Sequence, residues 1–158
     1  MKIYLSGPMT GLPNFNRDTF NEVATVLRSV GYEVFNPAEV QLDNGTWEQY
    51  MREDIKGMMD CDRVLLLPGW QKSAGANVEN RLARDVGMPR RSLVEWLAFS
   101  EEGHRVLAES RPVSIRLLEQ LLGTADTERG NRERSQSLSV GGYAGGGAGD
   151  GSSDSISG

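Results

Sequence analysis

Apolar and polar positions along this chain switch repeatedly between a period of two and a period near 3.6. Lys2 to Ser6 (KIYLS) reads as a strand that closes on the turn GPMTG. Asn16 then offers a helix N-cap, and Phe20, Val23, Ala24, Leu27 and Val30 recur at helical spacing until Gly31, a natural C-cap. Tyr32 to Phe35 is short and β-prone, and the pair Asn36-Pro37 stops it. Thr46 and Gln49 stand at capping-box spacing ahead of a second helix through Met51, Ile55 and Met58. Arg63 to Leu67 (RVLLL) is a continuous apolar run ended by Pro68-Gly69, as expected of a strand covered on both faces. A third helix is predicted over residues 74–86, ending at Gly87. Beyond it the pattern is weaker, with one more strand around Leu93 and Val94 and then helical pieces ending near Leu122.

Strand and helix in strict alternation predict an α/β fold, a parallel sheet wound with helices. Ligands of such sheets bind where the carboxyl ends of the strands open into loops. Here those loops are Ser6 to Gly11, Asn36 to Glu39, and Pro68 to Gly75.

Composition narrows the chemistry. The chain has 158 residues, which allows one domain and makes two independent cores unexpected. Seventeen basic residues against 22 acidic ones, a net charge of -5, provide no global cationic field for a nucleic-acid polymer. Cys61 is the sole cysteine and His104 the sole histidine, so neither a disulfide framework nor a closed structural zinc site can be built. No signal peptide and no long apolar run is recognisable, and a soluble, reducing, cytoplasmic setting without a membrane is the expectation. Ten of the 19 glycines lie between Gly123 and Gly158, where Leu138, Val140, Tyr143 and Ile156 are almost the only large apolar side chains. Residues 1–122 are therefore expected to fold, and residues 123–158 to form a disordered Gly/Ser-rich tail.

Two carboxylates stand where apolar residues belong. Met51, Asp54, Ile55 and Met58 follow helical spacing, which places Asp54 inside the apolar stripe of the second helix. Gly75, Val78, Glu79 and Leu82 repeat the arrangement on the third helix, with Glu79 near its first turn. Buried acids with no basic partner are what general-acid and nucleophilic work requires, since environment can separate their pKa values. The alternative is structural: each acid is neutralised by a neighbour such as Lys56, Arg81 or Arg84. In the first loop, SGPMTG, Gly7 and Gly11 permit close backbone approach, while Ser6 and Thr10 add hydroxyls. Such a loop is either a phosphate cradle or simply a turn. Asp60 and Asp62 read as turn formers, Cys61 as a small buried hydrophobe and His104 as a surface residue. Trp70 is equally readable as a lid or as a packed aromatic.

KIYLSGPMTG, EDIKGMMDCDRVLLLPGW and SAGANVENRLARDVG together resemble the nucleoside 2-deoxyribosyltransferase family, over about residues 2 to 88, and especially its small branch common in phages and bacteria. The resemblance implies a flavodoxin-like (Rossmann-like) sheet and cleavage of the N-glycosidic bond of a deoxynucleoside or its 5'-monophosphate, with no cofactor. It implies that Glu79 attacks the anomeric carbon, that Asp54 positions and protonates the departing base, and that Tyr4 lies against the nucleophile. The substrate would be held by Ser6, Gly7, Met9, Thr10 and Gly11 of the first loop and by Gly69, Trp70, Ser73 and Gly75 of the third. Ser73, six residues before Glu79, stands where transferases carry an aspartate and resembles the branch that hydrolyses nucleoside monophosphates. Family members complete the pocket from a neighbouring subunit, so the implied state is a homodimer or larger homo-oligomer. A fourth strand of the family's usual kind is replaced by the basic segment PRRSLVEWL, in which Arg90 and Arg91 are candidates for phosphate contact or a solvated charge cluster. The non-catalytic alternative is a nucleotide-binding or sensing module that keeps the cradle without turnover.

Overall fold

The computed structural model describes residues 1–110 of the chain. Four short strands form one all-parallel sheet, β1 (Lys2–Ser6), β2 (Glu33–Phe35), β3 (Arg63–Leu66) and β4 (Arg90–Ser92), in the spatial order β2-β1-β3-β4. Helices α1 (Arg17–Ser29), α2 (Trp47–Met59) and α3 (Ala74–Asp85) make the crossovers, and α4 (Leu93–Phe99) and α5 (Glu101–Glu109) follow β4. This is the flavodoxin-like order, in which the chain winds outward in both directions from β1 and β3.

Period-two alternation on the central strands divides the interior. Ile3, Leu5, Leu65 and Leu67 pack with Phe20, Val23, Leu27, Leu93, Trp96 and Val106, so α1, α4 and α5 cover one face. Tyr4, Val64 and Leu66 pack with Met58, Cys61 and Ala83, so α2 and α3 cover the other. Each fully buried aliphatic side chain of this kind contributes about 1.5–3 kcal/mol.

The helix starts show how local chemistry fixes the ends. Thr46 and Gln49 form the complete reciprocal capping box at the start of α2. Asn16 occupies the N-cap position of α1, but its side chain donates to the Pro8 carbonyl at 2.9 Å instead of capping. Asn14, Phe15 and Asn16 run consecutively in the left-handed region, with φ of 48°, 51° and 56°. Asparagine tolerates this conformation, whereas for Phe15 it stores strain.

Two expectations are corrected. The fourth strand lies on Arg90, Arg91 and Ser92, not around Leu93 and Val94, which begin α4 under the Ser92 cap. Among the described residues β4 pairs only with β3, and at a sheet edge backbone pairing suffices where charged side chains can reach solvent. On α3 the buried positions are Ala76, Glu79 and Ala83, while Val78 is exposed. Small residues let the helix approach the sheet closely, so the buried stripe is rotated away from the larger apolar side chains. The expected helical pieces up to Leu122 extend outside the described residues, as does the tail at 123–158.

Candidate functional site

Because side chains alternate along β1, Tyr4 and Ser6 share one face of the strand, the face covered by α2 and α3. Both reach Glu79 of α3. The Tyr4 hydroxyl donates to Glu79 Oε1 at 2.7 Å, and the Ser6 hydroxyl donates to Oε2 at 2.6 Å. Tyr4, Ser6 and Glu79 are all buried. Asp54 of α2 is buried as well, and among the described residues its Oδ1 has no hydrogen-bond partner.

The basic neighbours that might have neutralised these acids are engaged elsewhere or exposed. Lys56 pairs with Glu53 at 2.6 Å, Arg84 with Asp85 at 3.0 Å, and Arg81 is exposed. Among the described residues no cation forms an ion pair with Asp54 or Glu79. Burial consequently raises both. It lifts Glu79 above the usual carboxylate range, while the bonds from Ser6 and Tyr4 pull it back. Asp54 is pushed up to about 7, first by burial and then by the charges of Glu79 and Glu53. Tyr4 is raised well above its ordinary value by burial and by the charge of Glu79. Two hydroxyl donors favour the ionised form of Glu79, and among the described residues no such bond favours ionised Asp54. The two acids therefore sit in different environments, one held by hydroxyl donors and one not, which is the arrangement that separates the roles of a carboxylate pair.

A second layer holds Tyr4. Its ring stacks on Phe35, with centroids 5.5 Å apart and planes at 20°. Phe35 in turn lies so close to α2 that a Cβ at Gly57 would collide with its ring. Trp70, in the 3-10 turn Trp70–Lys72, is half-buried and packs on the same cluster. Neither Phe35 nor Gly57 was among the expected site residues. Nor was the Ser6–Glu79 bond, although the period of β1 already places Ser6 beside Tyr4.

The loop residues are distributed less uniformly. Gly7 lies so near the end of β3 that a Cβ there would stand 2.9 Å from Leu67 Cβ, so the first and third loops are brought together. Gly69, with φ +78°, opens the third loop. Ser73 caps α3, its Oγ accepting from the Ala76 N–H at 3.3 Å, and Gly75 faces Met51 of α2. Met9 packs into the opposite core, while Thr10 and Gly11 are exposed.

Arg90 and Arg91 start β4 and are exposed, and the Arg90 Nε donates to Asn80 at 2.9 Å. A crevice of about 240 Å³ lies at that amino end of the sheet, between Arg63, Arg91 and Trp96, remote from the acids at the carboxyl ends. Cys61 is buried, with its Sγ 3.2 Å from the Gly57 carbonyl, and His104 is exposed. Among the described residues no three His, Cys, Asp or Glu side chains are grouped so as to hold a metal ion, and no helix is long and apolar enough to cross a membrane.

No curated protein and no solved structure matches the chain. A family does. β1, β3, α2 and α3, which supply Tyr4, Ser6, Asp54 and Glu79, all fall within residues 1–90, and that segment matches the domain of unknown function DUF4406; with more than half its length so matched, the chain belongs to this family.

Proposed function

We propose that the protein is an N-glycosidase that cleaves the base–sugar bond of a nucleoside 5'-monophosphate or nucleoside, with deoxyribose as the favoured sugar. The observation that carries this reading is the buried carboxylate Glu79, held by two hydroxyl donors beside the partnerless acid Asp54. The resemblance of the strand, loop and helix motifs to nucleoside 2-deoxyribosyltransferases supports it. In the first step a Glu79 oxygen bonds to the anomeric carbon while the glycosidic C–N bond breaks. The electron pair stays with the base, which takes a proton from Asp54. In the second step water bonds to the anomeric carbon, the ester C–O bond breaks, and Asp54 recovers a proton from the water. Another base in place of water would complete transfer instead of hydrolysis.

Hydrolysis of a monophosphate is the favoured form. Gly7 brings the first loop against the third, whose Ser73 opens α3, and backbone N–H groups at a helix start suit a phosphate. A second copy of the chain, as the resemblance implies, would close the pocket. Incubation with a panel of deoxynucleoside monophosphates, followed by chromatography for free base, tests the reading. Wild type is expected to release base, and Glu79→Ala to lose at least about 10³-fold of that rate. Equal release by both proteins would remove Glu79 from its role. Tight nucleotide binding with no product would favour a binding module.

A further inference from the structure

Ser6 is buried, and its single hydroxyl proton is directed to Glu79 Oε2 at 2.6 Å. That proton is therefore not free for a substrate phosphate. Tyr4 holds the other oxygen, Oε1, at 2.7 Å. One donor alone would leave the carboxylate able to turn, because the terminal torsion of glutamate is broad. Donors on both oxygens fix its plane.

We propose that Ser6 is a positioning residue for the nucleophile: its hydroxyl sets the plane of the Glu79 carboxylate and stabilises that carboxylate as the group that departs in the second step. The inference rests on the reading of Glu79 as nucleophile. In the first step Glu79 donates an electron pair to the anomeric carbon, and in the second it takes that pair back as the C–O bond breaks. A hydrogen bond to the ionised carboxylate tempers the first change and favours the second. Removing it yields a stronger base and a poorer leaving group, so the ester should persist. The ionisable groups that act around this carboxylate are Tyr4 on β1 and Asp54 on α2, and β3 contributes the apolar Leu66. Among the described residues no Lys, Arg or His forms an ion pair with Glu79.

The test compares the full-length wild type with Ser6→Ala and Ser6→Thr, using whichever deoxynucleoside monophosphate the wild type cleaves. Ser6→Ala is expected to lower kcat by about tenfold with no rise in KM, and to move the acid limb of the kcat/KM profile, which reports the free enzyme, upward by about one pH unit. Intact-protein mass after acid quenching should show glycosylated enzyme accumulating. Ser6→Thr, which keeps a hydroxyl, should restore the wild-type limb. If Ser6→Ala does not fold, Ser6→Cys puts a weak donor in the same space and is read in the same way. A rise in KM at unchanged kcat and unchanged acid limb would overturn the proposal and return Ser6 to phosphate binding. An NMR titration of the Glu79 carboxyl carbon reads the same coupling without turnover. An unmoved titration in Ser6→Ala refutes the positioning role, whereas base release by Glu79→Ala at the wild-type rate refutes the nucleophile reading itself.

Discussion

The two faces of β1 differ in what they bury. Ile3 and Leu5 look into a cluster of aliphatic and aromatic side chains with α1, α4 and α5, while Tyr4 and Ser6, one position away, both donate to the buried acid Glu79. The same five-residue strand thus contributes cohesion on one side and chemistry on the other. Apolar burial favours folding without regard to direction, so the first face needs only shape and volume. Burying a carboxylate is unfavourable unless donors are aimed at it, so the second face must be exact in geometry. A protein that retains such a face gives up stability for something other than stability.

Three substitutions sharpen or break this contrast. Leu5→Ala, on the apolar face, should destabilise the fold by about 2–5 kcal/mol, measured by urea unfolding, while base release per folded molecule is kept. Loss of activity beyond the loss of folded protein would mean that the two faces are not separable.

Asp54→Asn should act in the opposite sense. Folding raises the Asp54 pKa from 3.8 to about 7, so the native state holds the extra proton between those values. Stability from this group is therefore fully present at lower pH and falls as pH rises through that window. Asparagine removes the slope, and the variant should gain on wild type by up to about 3 kcal/mol between about pH 5 and about pH 8. Its base release should fall by about 10²–10⁴-fold, because the acid is gone. Parallel unfolding curves at both pH values would show that Asp54 is not the strained group.

The smallest effect belongs to a site outside both interiors. Thr46→Ala removes the α2 cap and should cost about 1 kcal/mol, read as a lowered melting temperature, with the pH dependence of activity intact. A change in that dependence would mean that the start of α2 sets the position of Asp54.

Much of this arrangement is legible in the amino-acid sequence. The strands β1 and β3, the helices α1 to α3 and the Thr46–Gln49 box follow from local spacing and caps. Asp54 and Glu79 stood out as acids within apolar stripes, and both are indeed buried. The phase of the α3 stripe was not legible. Ala76 and Ala83 are too small to announce a core face, yet smallness is what lets α3 lie close to the sheet. β4 was hidden for a related reason, because Arg90 and Arg91 belong to an edge whose pairing is made by backbone.

Ser6 marks the boundary between the two kinds of information. Its place on the strand, one pleat from Tyr4, is determined by the sequence alone, since alternation is a property of neighbouring residues. Its partner is not. Glu79 lies 73 positions away, and only the parallel pairing of β1 with β3, with α3 packed across them, brings the two together. Periodicity could therefore say that a carboxylate would be buried. Which hydroxyls would receive it, and that no cation would, depended on long-range packing, because hydrogen bonds act over a few ångströms and local sequence carries no distance of that kind.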